Sequence, residues 1–142
     1  MQNTEPAFHP ADIITEPGPE YADEERLWQG IPGIERAPGG RLWACWYSGG
    51  EGEGPDNYVV LATSADDGAA WKAPALVVHP PADRVRAYDP VPWVDPQGRL
   101  WVFWAQSQEY FDGRAGVWCI CTEDPDAENP AWSDPQRVAN GI

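Results

Sequence analysis

A glycine-rich loop carries the carboxylates that are best suited to acid–base chemistry in this 142-residue sequence. The stretch SGGEGEGPDNY holds Glu51, Glu53 and Asp56 among its glycines. Such a loop can bring backbone and carboxyl groups close to a ligand. Crowding carboxyl groups together raises the pKa of one of them, which a proton donor requires. A flexible, solvated acidic loop is the alternative explanation of the same residues.

A second stretch, TSADDGAAWKAP, has the spacing Ser64-x-Asp66-x-Gly68-x-x-Trp71. An Asp carboxylate can cap the backbone N–H groups of its own turn, and glycine supplies a positive φ without steric cost. We expect Trp71 to fold back on the turn as a large apolar plug. The pattern therefore predicts a structural turn, and Asp66 and Asp67 are not expected to be catalytic.

Composition limits the partners and the location of the protein. Acidic residues outnumber basic ones 23 to 9, a net charge of −14, which argues against nucleic acid or an anionic membrane as a partner. No apolar run approaches the ~18 residues that span a bilayer, and no secretory signal opens the chain, so we expect a cytoplasmic protein. Cys45, Cys119 and Cys121 are interpreted as reduced packing residues, and the sequence indicates no metal and no cofactor.

The elements that position these residues come from an internal repeat. The hexapeptide PGGRLW at 38–43 returns as PQGRLW at 96–101, an offset of 58 residues. Each copy contains about four short strands rich in Trp, Val and Leu and bounded by turn residues. We expect an acidic, Pro-rich lead-in over 1–26 and two units over 27–84 and 85–142. A four-stranded unit at this period is typical of a β-propeller blade.

The spacing from Ser64 to Trp71 matches the Asp box, S-x-D-x-G-x-x-W, which marks the BNR repeat of the sialidase (neuraminidase) superfamily. With Thr122, Asp124 and Trp132 as a degenerate second copy, the sequence from 27 to 142 resembles the first two blades of a six-bladed sialidase-like propeller. The resemblance implies an all-β fold of two four-stranded antiparallel blades. Because two blades cannot close a ring, we expect an N-terminal piece of a larger protein.

The resemblance also implies roles for individual residues. The acid/base Asp of the family lies about eleven residues before the Ser of the first Asp box, and this position falls on Glu53, with Asp56 as a second candidate. Asp89, before Pro90, matches an Asp at the pocket rim that contacts hydroxyls of the substrate. A simple turn residue is the alternative for Asp89.

The family's first substrate-binding Arg stands in an Arg-Ile-Pro motif, and Gly30 replaces it here. Arg84 and Arg86 could compensate, since guanidinium groups bind carboxylates in pairs of hydrogen bonds, or they could be ordinary strand and loop residues. Trp28 and Tyr88 could stack on a sugar face, although core packing explains them as well.

The resemblance implies an exo-glycosidase that removes terminal sugars, acidic ones included, from a glycan. The Tyr nucleophile, its Glu partner and two Arg residues would lie beyond Ile142, so we expect the chain alone to be inactive. Two alternatives remain open at this point. One is a propeller lyase or glycosidase that acts on glycans containing uronate or rhamnose, and the other is a non-catalytic sugar-binding propeller.

Overall fold

The computed structural model describes residues 5–109 and 115–141. Within these ranges the chain forms two antiparallel β-sheets and contains no α-helix, so the prediction of an all-β fold made of two sheets is confirmed. The strands are β1 (Asp12–Ile14), β2 (Gln29–Arg36), β3 (Leu42–Ser48), β4 (Tyr58–Ser64), β5 (Lys72–His79), β6 (Val85–Val94), β7 (Leu100–Gln108), β8 (Gly116–Thr122) and β9 (Gln136–Asn140). Three 3-10 turns span Pro6–Phe8, Pro19–Tyr21 and Asp23–Glu25.

The two sheets differ by one strand. The second sheet has four strands in the order β6-β7-β8-β9, whereas the first has five in the order β1-β5-β4-β3-β2. The additional strand, β1, comes from the lead-in and pairs with β5, with Asp12 opposite His79. An unpaired strand edge attracts other chains, and β1 covers the edge that β5 would otherwise expose.

The lead-in also completes the outer face of the first sheet. Tyr21 is buried and meets the ring of Tyr58 edge-on, with 5.1 Å between the ring centroids. Its hydroxyl is 2.8 Å from Nδ1 of His79, and the same cluster contains Val60 and Val77. The lead-in therefore lacks a separate core and packs its apolar side chains against the first sheet.

The 58-residue repeat is visible in the backbone. The first strand of each unit bulges at the equivalent place, β2 after Gly30 and β6 after Tyr88. The next residues, Ile31 and Asp89, have φ angles of 57° and 48°. Positive φ is rare for a β-branched residue and tolerated by Asp. A bulge changes the direction in which a side chain points. The side chain of residue 89 therefore leaves the regular in-and-out alternation of the strand.

Side chains from both sheets share one core. Buried members of this core are Trp43, Leu61, Leu76, Trp104 and Ile120. Burying a large apolar side chain stabilises a fold by about 1.5–3 kcal/mol. The two sheets therefore pack face to face.

A carboxylate from the second sheet also joins the two units. Asp126 accepts hydrogen bonds from the backbone N–H of Gly39 at 2.7 Å and of Arg41 at 3.3 Å, both in the first sheet's β2–β3 turn. The ring of Trp132 meets that of Trp43 edge-on at 5.6 Å. The degenerate second Asp box thus docks on the first unit.

The equivalent turn of the second sheet is capped by a carboxylate of its own. Asp95 accepts hydrogen bonds from the backbone N–H of Gln97 and of Arg99, at 2.9 and 3.0 Å. The residue 58 positions earlier is Ala37, which has no carboxylate to offer. In the first sheet, Asp126 supplies the carboxylate that Ala37 lacks.

The three cysteines are free thiols, two of them buried. Burial raises the pKa of Cys45 to about 12, and a hydrogen bond with the backbone of Gly33 opposes this only in part. Both observations agree with packing residues. In the described part of the chain, no group of three or more His, Cys, Asp or Glu side chains is arranged to hold a metal. No helix there is long and apolar enough to cross a membrane.

Candidate functional site

The glycine-rich loop between β3 and β4 is held in shape by one buried amide. The side-chain nitrogen of Asn57 donates to the carbonyls of Gly49 at 2.8 Å and Gly52 at 3.0 Å. Its side-chain oxygen accepts from the N–H of Gly54 at 2.8 Å. Gly49 has φ 96°, and a Cβ there would lie 2.6 Å from a backbone oxygen. The sequence suggested a solvated acidic loop as one alternative, but these bonds fix its backbone.

Glu53 lies at the surface of this loop and contacts a buried phenol beneath it. The hydroxyl of Tyr47, on β3, donates a hydrogen bond to Oε1 of Glu53. Tyr47 is only 1% exposed. Burial, the bond to Glu53 and the nearby charge of Asp89 raise its pKa well above the ordinary range. Tyr47 therefore stays a protonated donor that orients Glu53.

Asp89 reaches the same place from the second sheet. It lies in the β6 bulge and is exposed. Partial burial is nevertheless the largest influence on its pKa and raises it. The positive charge of Arg86 opposes the rise, and the negative charge of Glu53 adds to it. Two carboxyl groups from different sheets are thus close enough to influence each other.

An Arg lies beneath these carboxylates, where it is covered by aromatic rings. Arg86 is 1% exposed. Its guanidinium lies 3.9 Å from the ring centroid of Tyr88 and 5.7 Å from that of Tyr47. A cation over an aromatic face is stabilised by the ring quadrupole. The structure therefore brings Glu53, Arg86 and Asp89 together, with Arg86 below the surface.

Trp28 packs beside Tyr47, next to Glu53, Arg86 and Asp89. It is half-buried, and its ring centroid lies 4.9 Å from that of Tyr47. A Cβ built on Gly30 would meet the Trp28 ring at 3.0 Å. The indole thus takes space next to position 30, where the resemblance implies an Arg. We call Trp28, Tyr47, Glu53, Arg86, Tyr88 and Asp89 the rim cluster.

Asp56 and Arg84, which the sequence proposed for the same site, make their contacts elsewhere. Arg84 is exposed and pairs with both carboxylate oxygens of Glu109 through Nε and Nη2. Its pKa is raised by Glu109 first and by Asp56 to a smaller extent. Asp56 and Arg84 line a shallow groove with His79. In the contacts of the described residues, Asp56 and Arg84 therefore form a group separate from Glu53, Arg86 and Asp89.

The Asp-box turn lies at the far end of β4 from the glycine-rich loop. The hydroxyl of Ser64 donates to Asp66 at 2.9 Å and accepts from the N–H of Gly68 at 2.9 Å. Asp66 also accepts from the N–H of Ala70 at 2.8 Å, and these bonds lower its pKa. Seven residues of strand separate the two ends by roughly 20 Å. The geometry is that of a structural turn.

Trp71 does fold back on this turn, because its Nε1 donates to the carbonyl of Gly68 at 3.1 Å. However, it is 40% exposed, so the expectation of a buried plug is wrong for this Trp. Trp132, its counterpart in the second unit, has the neighbouring unit's Trp43 to pack against. Contact with another unit therefore decides whether the Trp is covered.

Comparison with known proteins identifies the architecture. No family model matches the chain, and no curated protein matches it. Among solved structures, the chain is similar to the Hadza microbial sialidase Hz136, with a TM-score of 0.65 at 17% sequence identity. The chain has a sialidase-like fold. The match covers 83% of this chain and 27% of that sialidase chain, so this chain spans about a quarter of the sialidase's length.

Sequence reasoning missed two features of the site. Tyr47 was not predicted to be a site residue, because its contact with Glu53 depends on the conformation of a loop that Asn57 holds in shape. Arg86 was named as a substrate-binding candidate or an ordinary strand or loop residue, but its burial beneath two aromatic rings was not predicted. The first four residues of β6 are all buried, and exposed residues appear in this strand only after Tyr88. No sequence pattern predicts the ring contacts that cover Arg86.

Proposed function

We propose that the chain is part of a sialidase-like exo-glycosidase whose ligand lies on the rim cluster. The observation that carries this proposal is the geometry around the buried Arg86. Tyr47, one of the two rings beside its guanidinium, donates to Glu53, and Asp89 directly follows Tyr88, the other ring. Glycoside hydrolysis depends on two carboxyl groups with different surroundings in most families, although sialidases use a Tyr nucleophile with a carboxylic acid/base. The sialidase-like fold supports the same class of reaction by analogy.

The surroundings of the two carboxyl groups favour different roles. Glu53 accepts a hydrogen bond from the phenol of Tyr47, which holds its carboxylate in a fixed orientation. Partial burial raises the pKa of Asp89, the charge of Arg86 opposes this rise, and the charge of Glu53 adds to it, so Asp89 holds its proton more tightly than an ordinary Asp does. We therefore assign proton donation to Asp89 and the orientation of sugar hydroxyls to Glu53. The family resemblance alone implied the reverse assignment.

Hydrolysis of a panel of 4-nitrophenyl glycosides tests this proposal, in the longer protein that the resemblance implies. We expect Asp89→Asn and Glu53→Gln each to lower kcat by about 100-fold or more, the usual contribution of a positioned acid or base. Asp66→Asn, in the remote Asp-box turn, is the control and should leave kcat within about twofold, since surface sites far from the chemistry contribute little. Unchanged turnover in both rim variants would contradict the proposal.

A sugar-binding propeller without catalysis is the second candidate. The position of Trp28 beside Gly30 favours it, because an aromatic face binds sugar without performing chemistry. The same two variants separate the candidates. A catalyst loses turnover and keeps much of its affinity, whereas a binding protein shows no turnover at all and loses affinity.

A further inference from the structure

We propose that the rim cluster selects an uncharged sugar ring and rejects sugars that carry a carboxylate. This inference rests on the proposed function and names the substrate class of that same site. It depends on which charges of the rim cluster face solvent, on the position of Trp28 and on the overall charge of the chain.

The accessible charges of the rim cluster are negative. Glu53 and Asp89 are both exposed. Arg86 is the cation of the group, and it is 1% exposed beneath the rings of Tyr88 and Tyr47. Within the rim cluster, a carboxylate on a ligand would approach the two carboxylates of Glu53 and Asp89 and would reach no exposed guanidinium. Like charges at close range disfavour binding.

Other cations of the described chain are engaged elsewhere. Arg84 is bound to Glu109 through two nitrogens. Arg26 is buried and donates to Asp23 and to the carbonyl of Tyr21. The net charge of −14 also repels anionic ligands over longer distances.

Trp28 supplies what an uncharged sugar needs. Trp28 is partly accessible, and its packing against Tyr47 keeps it in place. The C–H face of a pyranose is apolar and packs on an aromatic ring, while its hydroxyls donate to carboxylates. Position 30 must remain small for the indole to lie there, since a Cβ would approach it to 3.0 Å.

Binding of matched sugars by the 142-residue chain tests the inference. The pairs are methyl glucoside with methyl glucuronide and methyl galactoside with methyl galacturonide, which differ only at C6. Binding is followed by NMR through the indole N–H signal of Trp28. We expect at least one neutral member to bind about tenfold more tightly than its uronate at pH 7 and low salt. The ratio of the two affinities should shrink in the double variant that carries both Glu53→Gln and Asp89→Asn. It should also shrink as added salt screens the charges.

Two further variants keep the test specific to Trp28. Trp28→Ala, which lacks the indole signal and is followed instead by saturation transfer from the protein to the sugar protons, should abolish sugar binding. Gly30→Ala, which displaces the ring, should weaken it. Trp71→Ala, an exposed Trp on the remote Asp-box turn, is the matched control and should bind as the unaltered chain does. Should folding of Trp28→Ala fail, Gly30→Ala carries the comparison.

The outcomes separate the two proposals. A uronate that binds as tightly as its neutral partner, or more tightly, overturns the selection for uncharged sugars and leaves a carbohydrate site in place. Binding of neither class, or binding that does not perturb Trp28, overturns both the selection and the proposed function.

Discussion

The buried phenol of Tyr47 donates a hydrogen bond to the exposed carboxylate of Glu53. The two residues are six positions apart, and the glycine-rich loop folds back to bring them together. Asn57 fixes this loop through three hydrogen bonds. A surface carboxylate is therefore oriented by the core of the sheet below it.

Replacing Tyr47 with Phe removes this hydrogen bond and keeps the ring. We expect the free energy of unfolding to fall by about 1 kcal/mol, the net value of one such bond. Urea unfolding of Tyr47→Phe, Glu53→Gln and the double variant measures the coupling between the two residues. Effects that simply add would show that the bond contributes nothing to stability.

Asp89 should reduce stability at neutral pH. Its pKa is raised by partial burial and by Glu53, so the folded state holds the proton more tightly than the unfolded state does. The penalty is absent below the ordinary pKa, grows as pH rises through the folded pKa, and is complete at neutral pH. Asp89→Asn should therefore unfold at a higher temperature than the unaltered chain at pH 7.

The pH dependence of that gain is the check on its cause. Asn also tolerates the positive φ at position 89, so a gain of equal size at every pH would reflect the backbone alone. Thermal unfolding at a series of pH values separates the two causes. The electrostatic part of the gain should disappear below pH ~4, where both states of Asp89 are protonated.

Asp126 should stabilise the contact between the two units. Asp126→Ala removes the acceptor of the Gly39 and Arg41 N–H groups, and we expect it to cost about 1–2 kcal/mol in the free energy of unfolding. Glu123→Ala, an exposed carboxylate nearby in the same connection, is the control.

The repeat offers a compensating change for this loss. Ala37→Asp places a carboxylate where Asp95 stands in the second unit, so it should restore part of the stability of Asp126→Ala. No restoration would contradict the equivalence of the two turns.

Asp95 should make the fold sensitive to strong acid. Burial alone would raise its pKa, but hydrogen bonds from Trp101 and Arg99 outweigh this effect and lower the pKa to about 2. Because the folded pKa lies below the unfolded one, Asp95 stabilises the fold above pH ~4 and loses this effect as pH falls towards 2. Asp95→Asn should lower the melting temperature at pH 7, and the difference should vanish near pH 2. A constant difference would contradict the assignment.

Local patterns in the sequence predicted most of the architecture. The repeated PGGRLW and PQGRLW hexapeptides, the 58-residue offset and the alternation of turn and strand residues predicted two sheets. The Ser64–Asp66–Gly68 pattern predicted a self-capped turn, and the hydrogen bonds show one. These features depend on residues close together in sequence, where propensity and turn chemistry are informative.

Contacts between distant residues could not be predicted in the same way. The pairing of β1 with β5 joins segments more than 60 residues apart, and Asp126 reaches Gly39 across 87 positions. In the candidate site, Glu53 and Asp89 were predicted singly from the resemblance. Their proximity depends on the packing of two sheets, and the cover over Arg86 depends on rings from both.

The central claim is that Glu53 and Asp89 lie close enough to share one site, and an NMR titration tests it most directly. The side-chain carboxyl carbon of Asp89 is followed against pH in the unaltered chain and in Glu53→Gln. We predict that the pKa of Asp89 lies above its ordinary value and falls when Glu53 is made neutral. A pKa of Asp89 that is unchanged by Glu53→Gln would show that the two carboxyl groups do not share a site.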